Sequence, residues 1–171
     1  MKQIIFTIAF LLTSIYGYAE GTESAFDQNR RLIGGVFEQY RATEDVKVIE
    51  IGAAMIRMLA TNQFEQGNDE VARLLRSISS IDILVAEGGD SQLREELFSL
   101  PKRCREYELI TAIDNGGGVV SRFYIASHSP KCEFLMLVDK GDNLIMLTIV
   151  GEFSVADIST LSALSGAISN Q

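Results

Sequence analysis

Few residues in this sequence have types and spacing that could do chemistry. The single histidine, His128, stands in Ser127-His128-Ser129-Pro130. As a general base it would need a nucleophile beside it and a third group to orient it, and neither a glycine-flanked serine elbow nor another partner motif is present. Ser and Pro are turn formers, so His128 is expected as an exposed turn residue. A zinc site takes three or four Cys, His or carboxylate ligands at usable spacing, which one His and two separated Cys do not supply. Glu87, Asp90, Glu95 and Glu96 cluster near an expected helix start, where acids suit the helix dipole. Acid–base work would need one of them buried enough to shift its pKa, and a solvated face is the expectation. Asp139-Lys140-Gly141-Asp142-Asn143 lacks the spaced oxygens and terminal bidentate Glu of a calcium loop and reads as a hairpin turn. Asp114-Asn115-Gly116-Gly117-Gly118 could offer amides to a phosphate, but it joins two strands instead of opening a helix. No catalytic residue, metal or cofactor is expected, and the reading leans away from an enzyme.

The clearest signal concerns address. Lys2 supplies a short positive start, Ile4 to Tyr16 is an apolar run, and Gly17-Tyr18-Ala19 places small residues where a signal peptidase cuts. A helix of about 13 residues spans roughly 20 Å, short of the roughly 30 Å hydrocarbon core. The expectation is cleavage after Ala19 and export, to the periplasm first and otherwise to the medium. No Cys follows Ala19 to accept a lipid, and no second stretch is long enough to span a membrane. The formal charge is −8, from 15 basic and 23 acidic residues, and cleavage would remove one lysine and no acid. Such a surface repels polyphosphate, so nucleic acid is disfavoured as a partner.

The elements that must position these residues follow from periodicity. Residues 1–19 are read as a signal peptide, 20–27 as a flexible leader and 28–171 as one α+β domain. Leu32, Ile33, Val36, Phe37 and Tyr40 form one helical stripe, leaving Arg30, Arg31, Glu38 and Arg41 to water. Val46 to Ile51 is β-branched and apolar on both faces, which predicts an interior strand. Met55, Ile56, Met58 and Leu59 fit a short helix ending before a polar loop at Thr61 to Asp69, with both methionines as core residues. Asn68 or Asp69 would cap the next helix (Val71, Leu74, Leu75, Ile78), and Ile81 to Ala86 reads as a strand ended by Gly88-Gly89. Asp90 or Ser91 would cap a helix carrying Leu93, Leu97 and Leu100, limited by Pro101.

Four strand-like runs follow, Tyr107 to Ile113, Val119 to Ala126, Glu133 to Val138 and Leu144 to Val150, with short turn-rich separators that predict an antiparallel meander. Ser154-Val155-Ala156-Asp157 resembles a capping box for a last helix with Ile158, Leu161 and Leu164. Helices collected mostly before the meander argue for an α+β fold of about six mostly antiparallel strands. In Cys132 to Val138 and Leu144 to Val150 both alternating sets are apolar, so neither sheet face wants water. Helices should cover one face, and a further helix, a partner or a second copy the other.

Cys104 precedes the first meander strand and Cys132 opens the third, which places both at one end of the sheet. Export makes a disulfide a candidate, stabilising by roughly 3 to 4 kcal/mol in the chain-entropy model. Two buried thiols are the alternative.

Phe37-Glu38-Gln39-Tyr40, the Val46 to Ile51 run leading into Met55-Ile56-Arg57-Met58, Ile81 to Val85, Tyr107-Glu108-Leu109-Ile110, and Leu147 to Gly151 before a Ser/Asp-capped helix together resemble an exported bacterial family, domain of unknown function 4252. The resemblance covers about residues 27–168 and implies a single α+β domain in the cell envelope. The family has no established activity, so it implies no site residue, and the two Cys are no feature of it. Three functions are weighed in order: a non-catalytic envelope protein that binds another protein or a second copy, or reports on an envelope condition; a small-ligand binder with a pocket between helices and meander near Phe123, Tyr124 and Phe134; and a hydrolase or other enzyme built on His128 or the carboxylates.

Overall fold

A computed structural model describes residues 23–88 and 90–158. The expected signal, its cleavage after Ala19, Gly89, and the Leu161 and Leu164 turns of the last helix lie outside these residues. The order is α1 (Ala25–Tyr40), β1 (Val46–Gly52), α2 (Ala53–Glu65), α3 (Asp69–Ser77), β2 (Ile78–Glu87), α4 (Ser91–Arg103), β3 (Glu108–Asp114), β4 (Val120–His128), β5 (Lys131–Asp139) and β6 (Asn143–Gly151). The six strands form one sheet in the order β1-β2-β6-β5-β4-β3. Every neighbouring pair is antiparallel, and β3 to β6 form the expected meander.

The two-sided apolarity of β5 and β6 is met by two hydrophobic clusters. On one face α1 and α4 bring Ile33, Val36, Phe37, Leu93, Leu97 and Leu100 against Leu84, Leu135, Leu137, Leu144 and Met146. On the other, Ile56 of α2, Leu74 of α3 and Ile158 pack with Ile125, Phe134, Ile149 and Phe153. The Ser154 to Asp157 capping box forms reciprocally: the Ser154 amide donates to the Asp157 carboxylate at 2.8 Å, and the Asp157 amide donates to Ser154 Oγ at 3.4 Å. The Ser154 hydroxyl, donating to the same carboxylate at 2.6 Å, and then the Ser154 amide hold the Asp157 carboxyl below its usual range. Residues 155–158 begin a helix there.

Several expectations change. Helix α1 starts at Ala25, inside the stretch read as a leader, because Ser24 Oγ accepts the Asp27 amide at 3.1 Å and caps it. Arg30 is not left to water; its side chain is 30% exposed and donates to Asp82 at 3.2 Å. Strand β1 is an edge strand, not an interior one. Its apolar faces arise because α1 packs towards one side and α2 towards the other, so a helix on each face mimics the signature of a central strand. Helix α2 runs through the expected polar loop to Glu65 and stops at Gly67, whose φ of 78° suits a residue without a Cβ. The buried side of α2 is Ile56 and Ala60, so Met55 and Met58 are exposed, Met58 by 60%. Pro101 lies within the last turn of α4 and does not end it before Arg103. Strand β2 begins at Ile78, three residues earlier than its apolar pattern suggested.

Gly151 shows how tightly β6 meets the α3–β2 junction. A Cβ there would fall onto the Ser77 carbonyl oxygen and the Ile78 Cα, both backbone atoms that cannot step aside. Gly151→Ala is expected to destabilise the fold by roughly 1–3 kcal/mol in urea unfolding, whereas the same change at Gly34, with open space around it, should stay within about 1 kcal/mol or stabilise helix α1.

Candidate functional site

His128 is the largest departure from the sequence reading. It closes β4, and its side chain is only 7% exposed. Nδ1 lies 3.1 Å from Glu106 Oε2, and Nε2 lies 3.1 Å from Glu133 Oε2. The Phe26 ring meets the imidazole edge-on with centroids 5.7 Å apart, and Lys131 Nζ stands 4.5 Å over that ring. Asn29, fully buried on α1, completes the knot. It accepts the Arg105 amide at 2.8 Å, donates to the Arg105 carbonyl at 2.9 Å and donates to Glu133 Oε2 at 3.0 Å. Its side-chain amide thus pairs with a backbone peptide as a neighbouring strand would.

This arrangement is a clamp between α1, the α4–β3 link and the β4–β5 hairpin. Both imidazole nitrogens face carboxylates, so each is engaged within the fold. Burial pushes the Glu133 carboxyl above its usual range, against the opposing pull of Asn29 and His128, while Oε1 has no partner among the described residues. Burial, then the nearby Glu133 charge, raises the Cys104 thiol to about 11. The described residues contain no group of three or more His, Cys, Asp or Glu placed to hold a metal ion.

The cysteines named as a candidate bridge are separate. Both are free thiols; Cys104 belongs to the α1–α4 cluster, and Cys132 packs with the cluster on the opposite face. Alternation along β5 turns Cys132 to the face opposite Cys104.

The acidic cluster is dispersed. Glu87 pairs with Lys47 at 2.7 Å, Asp90 caps α4, and Glu96 accepts the Tyr40 hydroxyl at 2.8 Å. The Asp139 to Asn143 segment is the β5–β6 turn, with Arg94 Nε donating to Asp139 at 2.7 Å. The Asp114 to Gly118 segment is the β3–β4 turn.

The remaining site is the sheet face opposite α1 and α4. The strand register aligns Ile49, Ile83, Leu147, Met136 and Phe123 in one apolar row across β1, β2, β6, β5 and β4. Val85, Ile145 and Val138 form part of the next row. Among the described residues, α2, α3 and the Phe153–Ile158 segment cover the neighbouring row of this face, which runs from Ile51 and Ile81 through Ile149 and Phe134 to Ile125. Ile49 on β1 is exposed at one end of the Ile49 to Phe123 row, exposed Ile110, Ile113 and Val155 stand near the other, and Met55, Met58 and Leu59 are exposed on α2. Near β3 the surface deepens into an open cleft of about 360 Å³ lined by Ile110, Thr111, Ile113, Phe123, Phe134, Val155 and Ile158. Phe123 and Phe134, singled out from the sequence, meet there with ring centroids 6.2 Å apart. Tyr124 does not join them, because its side chain packs with the cluster on the opposite face. Among the described residues no helix is long and apolar enough to cross a membrane.

The family model described as Domain of unknown function (DUF4252) matches residues 40–161. No curated protein matches the chain.

Two outcomes test the clamp. As pH rises from the ordinary carboxylate range through the raised Glu133 value, the folded chain must ionise a buried acid, so that group's contribution to stability falls. Urea unfolding of wild type and Glu133→Gln, followed from the ordinary carboxylate range upward to neutrality, should show the wild type losing ground relative to the variant. Without denaturant or reductant, a thiol reagent should modify half-buried Cys132 well before Cys104, and the untreated chain should carry two free thiols.

Proposed function

The chain belongs to the DUF4252 family, and from that premise we propose that it is an exported, non-catalytic module of the cell envelope that binds another protein through its open sheet face. The observation that carries this reading is the apolar row from Ile49 to Phe123, half-buried among the described residues, with exposed Ile49 at its β1 end and exposed Ile113 on β3 beyond the other. Contiguous apolar surface of this kind is rare on monomers and marks interaction sites. The methionines add adaptability, since unbranched thioethers repack against varied surfaces. Export is supported by the charged, apolar and small-residue succession of residues 1–19.

A second reading rests on the cleft near β3. Its walls are aliphatic and aromatic and its volume falls within the range of small-molecule pockets, which favours an apolar ligand there.

Native mass spectrometry of the chain isolated from its own cells tests the first reading. An added protein chain is expected, and Ile49→Lys with Met58→Lys should weaken that complex by at least about tenfold, since each change places a charge in an apolar contact. Both positions are exposed, so unfolding midpoints should hold. A bare monomer, or a turnover abolished by one polar substitution, would overturn the binding-module reading. A bound small mass displaced by Phe123→Ala would support the cleft instead.

A further inference from the structure

The two edges of the sheet are finished differently. On β1 the charged side chains are neutralised within the fold: Lys47 pairs with Glu87, and Glu50 with Arg41. Among the described residues β3 pairs only with β4, and all seven of its residues are exposed. Its sequence, Glu-Leu-Ile-Thr-Ala-Ile-Asp, has neither Lys nor Pro, the usual devices that blunt an edge, and Leu109, Ile110 and Ile113 stand in solvent. Glu108 and Asp114, at its two ends, take part in no ion pair among the described residues. The cleft opens directly beside this strand, with Ile110, Thr111 and Ile113 in its wall.

We propose that the free edge of β3 is a docking strand for an extended segment of a partner protein, apolar at alternate positions and carrying Lys or Arg at both ends. Added as a seventh strand, such a segment would satisfy the outer backbone groups of β3, while its apolar side chains on one face would continue the row that ends at Phe123 and Thr111. The acids lie six residues apart, roughly 20 Å in an extended strand, so a segment of about seven residues places a cation near each. A second copy fits poorly. Antiparallel pairing of two β3 strands centred on Thr111 sets Glu108 against Asp114 at both ends, and the register shift between Leu109 and Thr111 interrupts the ladder. The proposal rests on the binding-module reading but uses a different surface from the Ile49–Met58 region that tests it.

The probe is the peptide Lys-Lys-Val-Thr-Val-Thr-Val-Lys-Lys, compared with the same peptide ended by Glu, by calorimetry on the full chain. Saturable one-to-one binding of the Lys-ended peptide is expected, weakened by salt. The Glu-ended peptide should bind about tenfold more weakly, since opposite-charge cross-strand pairs favour pairing and like charges oppose it. Glu108→Lys with Asp114→Lys, both on the exposed edge, should reverse the preference, and Thr111→Pro should abolish binding of either peptide. Equal affinity for the two peptides, no saturable binding, an unreversed preference in the charge-swapped chain, or a dimer dispersed by Ile113→Lys would each overturn the proposal. If Met58→Lys breaks a native complex while neither peptide binds, the module reading stands and the edge assignment fails.

Discussion

Strands β5 and β6 send apolar side chains to both sides of the sheet, and the remaining architecture answers that demand. A strand buried on both faces needs a layer above and a layer below, because the apolar area it would otherwise show to water costs about 25 cal/mol per Å². Helices α1 and α4 cover one face over β2, β6 and β5, and the Leu, Ile and Met side chains between them are almost fully buried. Helices α2 and α3, inserted between β1 and β2, cover part of the other together with the Phe153–Ile158 segment. Among the described residues the middle row of that second face, from Ile83 to Phe123, stays half-buried.

Polar interior groups follow the same asymmetry. Asn29, Asp82, Glu133 and Thr148 are buried. Asn29 ties α1 to the sheet through Arg105 and Glu133, while Arg30 on the next residue reaches Asp82, which also accepts the Thr148 hydroxyl at 3.4 Å. Buried charge is costly and seldom adds stability beyond what apolar packing would provide. It does impose geometry: His128 between Glu106 and Glu133 sets where the β4–β5 hairpin stands against the α4–β3 link, and Asn29 bonded to Glu133 sets where it stands against α1. A face locked by such bonds supplies the rigid scaffold on which an exposed apolar face can act without losing its shape.

The sheet edges extend the contrast. Charges on β1 are paired internally, which makes that edge a poor template for another chain. Glu108 and Asp114 on β3 are exposed near an apolar cleft, Asp114 also accepting the Gly116 amide at 3.0 Å, so this edge carries negative charge that the fold does not pair among the described residues.

Much of this was legible along the chain. The stripe from Ile33 to Tyr40, the meander, the Asp90 cap and the Ser154 capping box are products of residues a few positions apart, where periodicity and turn chemistry act directly. Phe123 and Phe134 were identifiable as pocket residues because both lie in strands with apolar partners. What misled were features that neighbours in sequence do not decide. Val46 to Ile51 looked central because helices, not strands, supply its cover. His128 looked like a turn residue because Asn29 and Glu106, which bury it with Glu133, are far away along the chain or separated by whole strands. Met55 and Met58 shared a stripe with Ile56, but only the packing of α3 selected which side turned inward. The amino-acid sequence by itself determined which segments are helix and strand, that two strands must be covered on both faces, and that the surface is acidic. Tertiary structure alone decided the strand order, the separation of Cys104 from Cys132 across the sheet, the enclosure of His128 and the face left open, because each depends on pairings between distant segments that no local pattern encodes.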